Sequence, residues 1–246
     1  MRHPCNEPKH RRNWVLSTLV LLFLTAFLLS NNVRAETGDH HRAYVDALDT
    51  AMAAQARIAG EMKKISDGTV AHFDFLQHEH IELLRHARAL LHPPIKLAAG
   101  EREALIAQAE ALLKASESLE LVIADFLRAQ ALLNSAVSNT LDLIASQPDR
   151  ELTEGGRHEL ALLALAAKNF RSNNTTDTRA TLDTAFDKVA LLPLGNKWQG
   201  ELAMQRQLIT NNAIEAVSGT SKLAQTKVAY LAEALQAAYL TAAAEQ

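Results

Sequence analysis

Residues 101 to 146 contain neither glycine nor proline. Within them Leu119, Ile123, Phe126, Gln130, Leu133, Val137, Thr140 and Ile144 follow one another in alternating steps of four and three, with Val122 beside them. That spacing draws one stripe along an α-helix. Ala, Leu, Glu and Gln dominate the stretch, and all four are good helix formers. A continuous helix over 101–146 would reach roughly 70 Å at 1.5 Å per residue. Such a rod can serve as the spine of an all-helical protein. Two positions on its apolar stripe, Gln130 and Thr140, are polar.

Composition agrees with that spine. The chain has 246 residues, of which 48% are hydrophobic and only 5% aromatic, with nine Gly and six Pro. Runs of strand type are nearly absent, so the expectation is an all-α fold. Apolar periodicity marks helices over 36–65, from about Thr69 to His92, over 101–146, 150–170 and 177–192, and from Trp198 to Ala244. The separators are Ser66-Asp67-Gly68, Pro93-Pro94, Gln147-Pro148-Asp149, the polar turn Asn173 to Thr176, and Pro193 to Asn196. Ser116 is read as a bend in the central helix and Ser218-Gly219 as a kink in the last rod. The predicted architecture is one or more elongated up-down bundles of about seven to eight helices, with a long C-terminal helix. Sub-bundles over 36–146 and 149–246 are expected.

Residues 1–35 read as an export segment. Lys9, Arg11 and Arg12 precede an uninterrupted, mostly apolar run from Trp14 to Leu29, and Ala35 follows Val33 at a position suited to cleavage. The segment is either a cleaved signal peptide or an N-terminal membrane anchor; sixteen residues fall short of the ~20 that span a bilayer comfortably. In both cases the remainder is exported, to the periplasm or another extracytoplasmic space. Removing 1–35 takes five basic and one acidic residue from totals of 25 and 28, leaving a net charge of −7. An acidic domain of this kind is a poor nucleic-acid binder. Cys5 is the single cysteine, so no disulfide framework and no cysteine-based metal or haem site can form.

Five histidines fall between residues 72 and 92. His78, Glu82 and His86 are spaced i, i+4, and together with His72 they could offer metal ligands along one helix face. Glu82 stands where a zincin motif would need its second histidine. The same pattern also describes a solvated, charge-laced surface. His80 differs, because the stripe Phe73, Leu76, His80, Leu83, Ala87, Leu90 turns it inward. It is either a satisfied core histidine or, with Gln130 and Thr140, one of a set of polar groups that pair with each other across the bundle or line a small-ligand pocket. Gln205 and Asn212 interrupt the last rod in the same way. A b-type haem held by His80 with Met204 or Met52 is formally open, but no cofactor is expected. No phosphate-binding glycine loop, nucleophile elbow or kinase nucleotide motif occurs, so an enzymatic reading has nothing to rest on.

Four segments, in order, resemble the DAHL family of double all-helical ligand-binding domains. Phe126-Leu-Arg-Ala-Gln-Ala-Leu-Leu-Asn134-Ser135-Ala-Val is similar to that family's Phe followed by Ala-Leu-Leu-x-Asn-Ser. Phe73-Asp74-Phe75-Leu76 stands where Tyr-Asp-Pro-Leu is frequent, with Phe75 replacing the proline. Leu160 to Phe170 followed by Asp177 to Leu192 resembles its leucine-rich helix pair. Ala229-Tyr230 to Tyr239 resembles its Ala-rich last helix. The resemblance covers nearly all of 36–246, and the histidine cluster is foreign to it.

The resemblance implies a non-enzymatic extracytoplasmic sensory domain of the kind carried by membrane histidine kinases. Residues 36–246 show no second span, linker helix or output domain, so the expectation is a sensory domain standing alone. It would bind an unknown small molecule and report to a membrane signalling partner such as a histidine kinase. His80, Gln130, Asn134 and Phe73 are the candidate ligand-binding residues. A periplasmic metal-binding protein using His72, His78, Glu82 and His86 is the alternative, and an adaptor docking a coiled segment is a third reading.

Overall fold

In the computed structural model, residues 39–68, 74–94, 97, 99–146 and 152–244 are described. Residues 1–35, on which the export reading rests, His72, Phe73 and residues 147–149 lie outside them. The fold is all-α. Helix α1 covers 39–66. It is followed by α2 (Asp74–Ala89), α3 (Ala99–Ala145), α4 (Glu154–Ser172), α5 (Thr176–Ala190), α6 (Asn196–Gln225) and α7 (Val228–Ala244). Since α6 and α7 run on as one long rod, the described residues make six rods, slightly below the number expected. None of these helices is long and apolar enough to cross a membrane.

Two expected breaks are absent. Helix α3 passes through Ser116 unbroken, because the Ser116 hydroxyl turns back to the Leu112 carbonyl at 2.8 Å and is satisfied within its own helix. Helix α6 likewise runs through Ser218 and Gly219. Gly219 serves packing rather than bending: a Cβ there would sit 3.0 Å from Phe126 Cδ2. The last rod breaks later, at Lys227, whose φ of 58° lies in the left-handed region. Just before it, Thr226 closes α6 by donating from both its N–H and its hydroxyl to the Leu223 carbonyl.

The apolar residues gather into two cores. The first joins α1, α2 and the N-terminal part of α3 as far as Ala129 with Ala216, Leu223 and the α7 residues Val228, Leu235 and Tyr239. The second joins the rest of α3, from Leu133, with α4, α5 and α6 as far as Ala213. Two bundles therefore stack end to end and share both long rods. The first core is drawn from two separate stretches, 44–129 and 216–242, and the second from the single stretch between them, 133–213.

Local chemistry fixes the ends. Thr175 and Thr178 form a reciprocal capping box at α5, and Thr153 caps α4 through the Gly156 N–H. Trp198 Nε1 donates to the Leu143 carbonyl at 3.1 Å, tying the start of α6 to the end of α3. At the far end of the first bundle the Tyr44 and Tyr239 rings lie 4.4 Å apart. There the Tyr44 hydroxyl donates to the Leu90 carbonyl, and the Tyr239 hydroxyl lies 2.7 Å from His41 Nδ1.

Candidate functional site

The seam between the cores falls between Ala129 and Leu133 on α3, and between Ala213 and Ala216 on α6. Gln130 stands on that seam. Helix α1 ends beside it, where the Asp67 and Gly68 N–H groups bond back to the Lys63 and Ile65 carbonyls. Gly68 has φ +76°, and a Cβ there would lie 2.7 Å from the Arg171 carbonyl oxygen. Only glycine combines that left-handed backbone with so close an approach. The end of α1 is thereby pressed onto the end of α4. Between them and α3 lies a cavity of about 240 Å³.

Its walls come from both bundles. Ser66, Gln130, Asn134, Arg171 and Asn174 supply polar groups. Ile65, Leu133, Val137 and Phe170 supply an apolar floor. Gln130 is only 3% exposed, and its Nε2 has no hydrogen-bond partner. Asn174 Nδ2 is buried and unpartnered as well. Each buried donor left without a partner costs on the order of 1–3 kcal/mol. A primary amide can turn by 180°, so either amide can meet a donor or an acceptor. Arg171 reaches Ser138 Oγ only at 3.5 Å, which leaves most of its guanidinium donors uncommitted among the described residues. A second hollow of about 490 Å³, between α1 and α6, shares Ser66 and Asn174 with the first.

Of the four candidate ligand-binding residues, the structure brings Gln130 and Asn134 together and leaves His80 elsewhere. His80 is buried in the first bundle, and its Nε2 donates to the Ser116 carbonyl at 2.9 Å. Ser116 is fourteen residues from Gln130 on one continuous helix, roughly 21 Å away. His80 is thus a satisfied core histidine, and the notch expected opposite it does not form. Its facing of the core was legible in the apolar stripe. Its level along α3 was not, because helix periodicity carries no information about which turn of a neighbour it meets. Phe73 lies outside the described residues.

The other polar interruptions separate in the same way. Thr140 and Asn212 bond back to the Ala136 and Leu208 carbonyls of their own helices. Gln205 Oε1 is buried without a partner. The antiparallel register set by Phe126 against Gly219 and Leu143 against Trp198 puts Gln205 near the level of Thr140, not Gln130.

The metal candidates do not converge. His78 is exposed and Glu82 is held by Arg85 and lies 3.6 Å from His86 Nε2. A guanidinium thus occupies the carboxylate that a cation would need. His72 is outside the described residues, among which no group of three or more His, Cys, Asp or Glu could hold a metal. Glu79, from the same stretch, is buried and accepts from Arg57 Nε at 2.8 Å, bracing α2 against α1. For the haem arrangement, Met204 is exposed on α6 of the second bundle, while His80 is buried in the first.

Sequence reasoning missed Ser66, Gly68, Arg171 and Asn174. They occur in segments read as turns or helix ends, with no periodicity to single them out. The one available signal was that two turns, Ser66-Asp67-Gly68 and Asn173 to Thr176, are both rich in polar residues. No family model, no curated protein and no solved structure matches the chain.

Proposed function

We propose that the chain is a non-enzymatic, extracytoplasmic ligand-binding protein of sensory type, which takes a small molecule at the waist between its two bundles. The observation that carries this reading is the Gln130 amide: almost fully buried, without a partner, on a cavity at the seam of the two cores. Polar groups left unpaired inside a packed interior are rare, and a small molecule offering complementary atoms would satisfy them. The resemblance of four segments to double all-helical ligand-binding domains supports the same reading, as does the export character of residues 1–35.

The cavity suggests how binding would be reported. One wall is the end of α1, which belongs to the first bundle, and the other is the end of α4, which belongs to the second. A ligand bridging Ser66 and Asn174 would favour one relative setting of the bundles, and α3 and the α6–α7 rod would carry that setting along the molecule. A membrane signalling protein such as a histidine kinase is the proposed receiver.

The test is a melting-temperature screen of the full-length protein against small polar metabolites, repeated with Asn134→Trp, whose larger side chain would fill the cavity mouth. Metabolites that raise the melting temperature of the parent but not of Asn134→Trp support the proposal. Stabilisation equal in both proteins, or none in either, sinks it. The metal-binding alternative draws no support from the described residues.

A further inference from the structure

Resting on the waist as the binding site, the chemistry of its wall points further, to the class of ligand: we propose a small organic carboxylate. The first argument is charge. Among the described residues lining the cavity, Arg171 is the only ionised side chain, and neither Asp nor Glu is present. A cationic ligand would find no counter-charge there. Residues 36–246 are acidic as a whole, so an anion would be repelled by most of their surface and needs a local cluster of donors to be held. The waist offers such a cluster.

The second argument is hydrogen bonding. Gln130 and Asn174 can each turn an unpartnered amide N–H toward an acceptor, with the Asn134 amide and the Ser66 hydroxyl on the same cavity. A carboxylate has two oxygens and about four acceptor sites, enough to satisfy both amides and Arg171 together. Guanidinium and carboxylate also match in plane and spacing, which makes Arg171 the expected selector at the cavity mouth.

The third argument is size. A cavity of about 240 Å³ corresponds to roughly eight water volumes of ~30 Å³ each. That admits a molecule of about eight to ten non-hydrogen atoms. Ile65, Leu133, Val137 and Phe170 would cover its apolar part, so a carboxylate with a short hydrocarbon or aromatic body fits better than a densely hydroxylated sugar acid.

Matched probes separate the class of ligand from the existence of the site. Hexanoate, hexanamide and hexylamine, with benzoate, benzamide and benzylamine, differ within each set chiefly in the head group. Binding to the full-length protein is measured by calorimetry for the parent, Arg171→Gln and Gln130→Leu. The carboxylate is expected to bind at least about tenfold more tightly than the amide, with the amine weakest. Arg171→Gln should erase the preference for carboxylate over amide while leaving amide affinity within about twofold. Gln130→Leu should weaken both about tenfold, the loss expected when a buried partner is removed.

Amide or amine binding as tight as carboxylate, and lost in Gln130→Leu, overturns the carboxylate class while the waist site stands. Carboxylate preference that survives Arg171→Gln overturns the role of Arg171. Binding untouched by Gln130→Leu, or no binding of any probe, overturns the carboxylate proposal. In the latter case the metabolite screen with Asn134→Trp decides separately on the site.

Discussion

At the residue scale, two glycines do opposite things to what a turn-and-kink reading of glycine suggests. Gly219 lies inside a helix, where glycine is disfavoured by about 1 kcal/mol relative to alanine, because only a hydrogen fits against Phe126. Gly68 is in a turn, yet its value is in the close approach to the Arg171 carbonyl as much as in its positive φ. Gly68→Ala should therefore destabilise by about 2 kcal/mol or more, from the left-handed backbone penalty of ~1–2 kcal/mol plus the displaced contact. Urea unfolding measures it, and an unchanged midpoint would remove the waist contact from the account. The tyrosines make a second residue-scale prediction. Burial pushes the Tyr44 hydroxyl well above the ordinary tyrosine value, and neighbouring Tyr239 adds to the shift; burial raises Tyr239 too. In the unfolded chain these groups ionise near pH 10. Above that pH the unfolded state sheds protons that the folded state keeps. The stabilisation is complete below about pH 10 and declines as pH rises toward the folded values. Melting temperatures from pH 8 to 11.5 should fall most steeply above pH 10, and Tyr44→Phe should flatten that fall.

At the element scale, helix identities were legible because periodicity, capping residues and breakers are properties of neighbours in sequence. The stripe through Phe126, Leu133 and Val137 is buried as its spacing required, while the capping of α5 by Thr175, with Thr178 in its first turn, emerges only in the structure. Breaks inside long helices were less legible. Ser218-Gly219 looks like a kink by composition, but Phe126 supplies a tertiary reason for the glycine, whereas the break at Lys227 has no glycine or proline to announce it. A lysine in the left-handed region is strained, so Lys227→Gly should raise stability by about 1 kcal/mol at most, after allowing for the greater freedom of glycine in the unfolded chain. Thermal denaturation tests it; a loss of stability would mean that the lysine side chain contributes more than its backbone costs.

At the scale of the whole molecule, two cores are strung on two shared rods. Helix α3 supplies apolar residues to both cores without interruption, and α6 does so across Ala213 and Ala216. Melting one bundle would leave half of each rod without a partner, and an isolated helix of that length is only marginally stable in water. The molecule is expected to unfold in one cooperative transition, with calorimetric and van't Hoff enthalpies equal. Two resolved transitions would show that the waist uncouples the bundles, and would weaken the idea that a ligand there is felt along the rods.

The amino-acid sequence by itself determined the helical class, the length of the central rod and which face of each helix is buried. Those properties follow from periods of three and four residues and from local propensity, and they need no neighbour. It also singled out Gln130, because a polar residue on an apolar stripe is visible in one helix alone, whereas Asn134 drew notice only through the resemblance. Only the tertiary structure decided which polar groups meet. His80 and Gln130 both face a core, but His80 meets α3 at Ser116, about 21 Å along that helix from Gln130. Asn174 and Arg171, more than thirty residues from Gln130 in the chain, stand on the same cavity. Register between helices is set by how side chains such as Phe126 and Gly219 interlock, and by where α1 and α4 end, and that information is distributed over the whole chain rather than written in any one stretch of it.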